Sequence, residues 1–276
     1  MAAIALEDEF GDIIGKARAG RGKSLSAVAA ESGVSEADLS ALESYARPPS
    51  EDEANAIAAA VGLDGSRLYA IATESWAPDA EPALVDAGAD IVRLQNFVGG
   101  YPVFCYILVC RKTQSAAVVD TAADADKVLD ALKSSGVRPQ AIFLTHGHGD
   151  HVEGVDQVQG ALDVPVVFSE DMDAPAGIGE HFRLGDGDTY RIGDLDVRML
   201  KTPGHSQGCA TFATGGIAFI GDLIFAGSMG KPNHSFEASM SSVAKLFELP
   251  EVTRLYPGHG PSTTIGEEQA HNPFLA

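Results

Sequence analysis

Apolar residues recur at helical spacing along the first part of the chain, without the alternation that is typical of strands. Ser24 precedes the stretch LSAVAAES, which ends at Gly33, and Ser50 and Glu53 form a capping box before ANAIAAAVG. Such residues mark helix ends, because serine caps the first turn and glycine tolerates the left-handed conformation after the last one. We therefore predict a small all-helical domain over residues 1–75.

The pattern changes after a stretch with two prolines and no periodicity, which predicts a linker over residues 76–88. Residues 89–276 contain short apolar and β-branched runs that are typical of strands: FCYILV, AAVVD, AIFLT, VPVVF, LDVRML and GIAFIGD. Helical stretches lie between some of them, such as DADKVLDALKSSG and FEASMSSVAKLFEL. Strands that alternate with helices predict a mixed α/β domain.

The composition of the 276-residue chain is that of an ordinary globular protein, with 45% hydrophobic residues. The chain has neither a long apolar run nor an N-terminal signal pattern, so we expect a cytoplasmic protein that does not contact membranes. Three cysteines are too few, and odd in number, for a disulfide framework. The net charge of -20 disfavours non-specific binding to nucleic acid or to anionic membranes.

One short segment is rich in metal-binding side chains: FLTHGHGDH places three histidines and an aspartate within six residues. It overlaps the apolar run AIFLT, so we expect it in the loop after a buried strand. His146 and His148 are spaced to hold one ion, while Asp150 and His151 point elsewhere and are candidates for a second. Imidazole together with carboxylate is typical of zinc, iron or manganese sites.

Three further candidate ligands lie downstream, each where a strand runs into a loop: His205 in KTPGHSQG, Asp222 in AFIGD and His259 in LYPGHGP. Sites in α/β folds tend to form at such strand ends, so we predict that these side chains belong to the same metal site. The other histidines lack this context and are predicted to be ordinary surface or core residues; they are His181, His234 and His271.

The motifs THGHGDH, TPGHS, GD and PGHG, in this order, closely resemble those of the metallo-β-lactamase superfamily over residues 89–276. The resemblance implies an αββα sandwich, with two mixed sheets covered by helices on their outer faces. It implies that His146, His148 and His205 hold one metal ion, that Asp150, His151 and His259 hold a second, and that Asp222 bridges the two. Asp120, which ends AAVVD, matches an aspartate that supports the metal loop from outside. An ordinary turn residue is the alternative for Asp120.

Within this superfamily the chain is most similar to the glyoxalase II branch (hydroxyacylglutathione hydrolases), through LYPGHGPSTTIGEEQAHNPFL and FIGDLIFAGSMGK. The residue after GSMG, Lys231, matches a lysine that contacts a glutathione carboxylate, which implies a role in substrate binding. A solvated surface lysine is the alternative. Asn233 stands where the family has a tyrosine, and this departure weakens the case for glutathione itself.

The resemblance implies a hydrolase that cleaves a small-molecule thioester with a hydroxide held by two divalent metal ions. Zinc is the first expectation, with iron and manganese as alternatives. Asp150 is also a candidate catalytic residue, because its carboxylate can orient the nucleophile. The main rival is a persulfide dioxygenase, which would hold a single ferrous ion at His146, His205 and Asp222 and activate oxygen.

The stretch SLSAVAAESGVSEADLSALE predicts two helices joined by a tight turn, and resembles the helix-turn-helix of the Cro/lambda-repressor family over about residues 10–72. A DNA-binding regulator with a metal-site sensor domain is therefore a further hypothesis. Against it, residues 1–75 contain thirteen acidic and six basic residues, and the predicted recognition helix opens with Glu36 and Asp38. The basic residues from Lys16 to Lys23 leave DNA binding open. We favour a domain that forms a homodimer or covers the active site.

Overall fold

The computed structural model describes residues 5–79 and 87–275. The N-terminal part is helical, as predicted, and its helices are α1 (Phe10–Gly20), α2 (Leu25–Ser32), α3 (Glu36–Glu43), α4 (Glu51–Val61) and α5 (Gly65–Ala72). Residues 80–86 of the predicted linker lie outside the described residues.

The helix ends form where the sequence places capping residues. Ser24 accepts a hydrogen bond from the backbone N–H of Ala27, and Ser50 and Glu53 form the predicted capping box. Gly33 follows α2 in the left-handed conformation, with a φ of 74°. The chain therefore turns sharply between α2 and α3, as the glycine predicts.

Two six-stranded sheets and a small hairpin follow the helical domain. The first sheet consists of β1 (Ala89–Val98), β2 (Tyr101–Cys110), β3 (Ser115–Val119), β4 (Arg138–Phe143), β5 (Val166–Ser169) and β6 (His181–Leu184), in that order. The second consists of β7 (Thr189–Ile192), β8 (Leu195–Lys201), β9 (Ala210–Thr214), β10 (Ile217–Gly221), β13 (Arg254–Pro257) and β14 (Thr263–Thr264). The hairpin is formed by β11 (Ile224–Phe225) and β12 (Ser228–Met229). The remaining helices are α6 (Ala125–Ser135), α7 (Gly149–Val152), α8 (Val155–Leu162), α9 (Phe236–Leu246) and α10 (Ile265–His271).

The two sheets pack face to face, because aromatic side chains from both fill the space between them. Phe104 and Phe143 from the first sheet and Phe212 and Phe219 from the second belong to this buried core. Burial of each such side chain contributes about 1.5–3 kcal/mol. Helices α6 and α8 pack on the other face of the first sheet, and α9 and α10 on that of the second. The result is the mixed α/β sandwich that the motifs imply.

The core of the helical domain is continuous with the core of the α/β domain. Ile13 of α1 and Met229 of β12 are both buried in one apolar cluster that also includes residues of α9 and α10. At the edge of this cluster, Arg67 of α5 donates a hydrogen bond of 3.1 Å to the backbone carbonyl of Asn272. The helical domain is therefore packed against the second sheet and the β11–β12 hairpin.

A buried carboxylate, Glu268 of α10, holds the β11–β12 hairpin. It accepts hydrogen bonds from the backbone N–H of Gly227 (3.1 Å), from Thr263 Oγ1 (2.7 Å) and from Asn272 Nδ2 (2.7 Å). Burial raises the pKa of this carboxyl to about 7. Three donors satisfy the buried group and fix the hairpin between the helical domain and the strand end that leads to Asp222.

None of the helices in the described parts of the chain is long and apolar enough to cross a membrane. Cys105, Cys110 and Cys209 are buried and free, as their odd number predicts. These thiols act as small packing residues and do not form covalent cross-links.

Candidate metal centre

The metal-rich segment begins just after β4 and is held by Asp120. The Asp120 carboxylate accepts hydrogen bonds from the backbone N–H of Thr145 (2.8 Å) and from its hydroxyl (2.8 Å). Asp120 has a φ of 58°, in the left-handed region that aspartate tolerates better than most residues. The residue that the resemblance places behind the metal loop therefore contacts that loop directly.

The second half of this segment is helical. Helix α7 begins directly after His148, so Asp150 and His151 lie on a helical turn. The sequence predicted a loop throughout, because its two glycines favour loop conformations over a helix. The change from loop to helix separates the four potential ligands of this segment into two pairs.

Seven side chains from distant parts of the sequence meet at one place. They form three overlapping groups, and the potential ligand atoms within each group lie within 4.8 Å of one another. The groups are His146 with His148 and His205, His146 with His151 and Asp222, and Asp150 with His151 and His259. These seven are the residues that the sequence proposed as metal ligands.

The first group consists of three imidazoles whose nitrogens converge. His148 Nδ1 lies 2.8 Å from His205 Nε2 and 3.2 Å from His146 Nε2. Nitrogen lone pairs at such distances repel one another unless a proton or a cation lies between them. Three imidazole nitrogens form a common donor set for zinc and for other divalent transition metals.

Asp222 lies between the groups. Its Oδ2 is 3.4 Å from His205 Nε2 and 3.6 Å from His259 Nε2, whereas its Oδ1 is 3.4 Å from His151 Nε2. Both Asp222 Oδ1 and His151 Nε2 are buried, and neither has a hydrogen-bond partner among the described residues. Because buried polar atoms without a partner are costly, these two atoms fit ligands of a cation, and Asp222 is placed to bridge two of them.

The ring nitrogen on the far side of each of three histidines is held by an oxygen. The pairs are His151 Nδ1 with Asp120 Oδ2 (2.8 Å), His205 Nδ1 with the backbone carbonyl of Lys231 (2.8 Å), and His259 Nδ1 with the backbone carbonyl of Pro102 (2.7 Å). An N–H on Nδ1 leaves the lone pair on Nε2, which faces the cluster. These partners orient the rings, and the two backbone carbonyls among them have no signature in the sequence.

The electrostatics of the cluster differ from ring to ring. Burial, together with repulsion from His151, holds the pKa of His146 well below its ordinary value. Burial alone would lower the pKa of His151, but the carboxylates of Asp222 and Asp120 raise it well above its usual range. Burial alone would raise the pKa of Asp222, but the neighbouring histidines hold it well below its usual range. A neutral His146 and an ionised Asp222 are the forms that bind metal.

The other candidates lie outside the cluster. Lys231 is exposed, and the described contact through which it reaches the centre is its backbone carbonyl, so binding of a substrate by its ammonium stays a prediction. His181, His234 and His271 are exposed and belong to none of the three groups, as their sequence context predicts.

Comparisons with known proteins agree with this fold. The sequence profile of the metallo-beta-lactamase superfamily matches residues 98–259, more than half of the chain. A protein of Alkalilimnicola ehrlichii named hydroxyacylglutathione hydrolase is 37% identical over 171 residues, which cover 62% of this chain and 65% of that protein. The crystal structure of TTHA1623 in a di-iron-bound form has a TM-score of 0.57 and 30% identity, covering 66% of this chain and all of that one. ETHE1 from Myxococcus xanthus has a TM-score of 0.60 and 26% identity, covering 67% and 84%.

Proposed function

The chain belongs to the metallo-β-lactamase superfamily, and from this premise we propose that it is a metal-dependent hydrolase that cleaves a thioester. The observation that carries the proposal is the position of Asp222 between two groups of potential ligands, since one carboxylate between two donor groups suits a pair of cations. The similarity to a hydroxyacylglutathione hydrolase supports a thioester as the substrate.

Two divalent cations fit the centre. His146, His148 and His205 would hold one, Asp150, His151 and His259 the other, and Asp222 both. When bound, such ions supply a water of lowered pKa and a Lewis acid for the carbonyl oxygen. The nitrogen-rich donor set favours zinc, and iron and manganese are compatible with it.

Among the seven residues, Asp150 is the one best placed to act on a water molecule. Its side chain is 31% exposed, whereas those of His146 and His151 are fully buried. The Asp150 carboxylate lies 3.4 Å from His259 Nε2, and its outer face is open to solvent. It can therefore accept a hydrogen bond from the attacking water and orient it toward the carbonyl carbon. The leaving thiolate is stable at neutral pH, so the chain needs no strong general acid.

Metal content and substrate together test this proposal. The protein is purified without added metal, its bound metals are measured, and the same sample is assayed on S-lactoylglutathione and on glutathione persulfide. We expect two zinc-type ions per chain and thiol release without oxygen uptake. One iron per chain, with oxygen uptake and sulfite formation, would instead establish the persulfide dioxygenase.

We propose that the helical domain does not bind DNA. Each of its six basic side chains is already engaged by a carboxylate or a backbone carbonyl within residues 5–79. The contacts are Lys16 with Asp8 (2.5 Å), Arg18 with Glu43 (2.6 Å), Arg21 with the Gly62 carbonyl (2.8 Å), Lys23 with Glu31 (2.5 Å), Arg47 with Glu53 (2.5 Å) and Arg67 with Asp64 (3.6 Å). Phosphates would have to compete with these partners.

We therefore expect no tight DNA binding. A gel-shift series at low salt, on random and genomic duplexes, should show at most weak binding that disappears as salt is added. Sequence-specific binding with a Kd below about 10⁻⁸ M at physiological salt would contradict this proposal.

A further inference from the structure

The N-terminal segment before α1 lies against the metal centre. Gly260 directly follows the candidate ligand His259 and has a φ of 73°. A Cβ atom added to Gly260 would lie 3.2 Å from both the Cβ and the backbone nitrogen of Glu7. The backbone of Glu7 is therefore packed on the turn that carries His259.

The neighbouring residue, Asp8, anchors this segment. Asp8 is 7% exposed, and its Oδ2 accepts hydrogen bonds from Ser228 Oγ (2.5 Å) and from Lys16 Nζ (2.5 Å). Lys16 also donates to the backbone carbonyl of Met229 (2.9 Å), so α1 and the β11–β12 hairpin are tied together. A buried carboxylate with two partners on different elements holds the segment firmly, and loss of Lys16 would leave the Asp8 charge buried without a cation.

The hairpin itself extends this contact to the metal centre. The Lys16 ammonium lies 5.0 Å from the centre of the Phe225 ring, and that ring packs edge-on against His259 at 5.7 Å. The surroundings of His259 are thus contacted from two sides, by Glu7 of the N-terminal segment through Gly260 and by Lys16 of α1 through Phe225.

Glu7 brings a negative charge to this place. It is half-buried, and among the described residues no ion pair or hydrogen bond engages its carboxylate. Burial raises its pKa to about 6, while the charges of His259 and Lys16 lower it and those of Asp8 and Asp222 raise it. A glutamate side chain thus lies beside the turn that carries His259, where a carboxylate can supply a negative charge at the edge of the centre.

We propose that Glu7 is a specificity-determining residue of the metal centre, whose carboxylate attracts a cationic group on the thiol carrier and disfavours an anionic one. The inference rests on the thioester hydrolysis proposed above. The scissile carbonyl has to reach the cluster, so the carrier lies against the residues that border it, and Glu7, which is half-exposed beside the buried Gly260 turn, is one of them. A half-buried carboxylate that forms no ion pair attracts an ammonium group more strongly than an exposed one does, because water screens the two charges only in part.

The test uses three thioesters with one acyl group, propionyl, and carriers of different charge. The carriers are thiocholine (cationic), N-acetylcysteamine (neutral) and 3-mercaptopropionate (anionic). We expect wild type to favour the cationic over the anionic ester in kcat/KM, and Glu7→Gln to reduce this ratio about tenfold. Glu7→Lys should reverse the preference. Turnover of the neutral ester should stay within about twofold of wild type, because the metal ligands are unchanged.

A matched control and two further readouts separate the outcomes. Glu36→Gln removes the same charge from the exposed first turn of α3 and should keep the wild-type ratio. An unchanged ratio in Glu7→Gln would overturn the inference and leave the hydrolase proposal standing, whereas failure of wild type on all three esters would overturn both. Metal content and Tm show whether each variant is intact. An equal loss on all three esters would assign Glu7 a structural role only and would also overturn the inference.

Discussion

Replacement of His146 by alanine is expected to lower kcat/KM on a thioester by at least about a thousandfold. His146 is fully buried and belongs to two of the three groups of potential ligands. Without its imidazole, His148 and His205 make a weak two-nitrogen site, and the group of His151 and Asp222 loses its third potential ligand. We therefore expect both the loss of one metal ion and weaker binding of the other. The measurements are kcat/KM and metal content per chain, on protein purified and assayed side by side with wild type.

His234→Ala is the matched control, because His234 is exposed and lies outside the cluster. It should keep the metal content and activity of wild type. Treatment of wild type with a strong chelator should cause the same loss of activity as His146→Ala. Added zinc should restore the activity of chelator-treated wild type but not that of the variant. Full activity of His146→Ala, or of metal-free wild type, would contradict the proposal of a metal-dependent hydrolase.

The sequence was sufficient to predict which side chains the structure brings together at the candidate site. His205, Asp222 and His259 each stand where an apolar run ends, and strand ends are where side chains from distant segments meet. The structure brings these three together with the four potential ligands of the HGHGDH segment. Caps such as Ser24 and Ser50 were predictable for a similar reason, since each depends on residues within three positions along the chain.

Contacts between distant backbone atoms were not predictable. The carbonyl groups of Pro102 and Lys231 orient His259 and His205, but any residue type could supply them. For Lys231 the sequence directed attention to the ammonium group, whereas the described contact with the centre is made by the main chain. Such roles follow from the tertiary arrangement and leave no trace in residue identity.

The position of the helical domain could not be predicted from the sequence either. Lys16 was considered a candidate for contact with phosphate, because a basic residue near a helix-turn-helix pattern suggests DNA. In the structure it is part of the interface with the α/β domain, where it contacts Asp8 and Met229. Glu7 had no local signal at all, since its neighbour Gly260 lies at the other end of the chain. Only the packing of the two domains shows that this segment borders the metal centre.

Asp120→Asn is expected to lower metal affinity and kcat/KM by about 10–100-fold while the fold is retained. One carboxylate oxygen of Asp120 accepts from the backbone N–H of Thr145, and the other from the hydroxyl of Thr145 and the Nδ1 of His151. An asparagine has only one acceptor oxygen, so its NH₂ group must face either the Thr145 N–H or the His151 ring. In the first case the metal loop is displaced, and in the second His151 is driven to the tautomer that protonates Nε2, the atom that faces Asp222.

Because Asp120 acts through His151 and Thr145, its substitution should weaken the metal ion held by Asp150, His151 and His259 more than the ion held by the three other histidines. Metal titration of apo protein distinguishes the two affinities, and a thermal melt of the apo form shows that the fold survives. Asp130→Asn, the same change at an exposed position of α6, is the control and should behave as wild type. If Asp120→Asn kept both affinities within about twofold of wild type, Asp120 would be an ordinary turn residue, as the alternative drawn from the sequence holds. A selective loss of the second metal would instead show that a carboxylate behind His151 keeps its lone pair aimed at the centre.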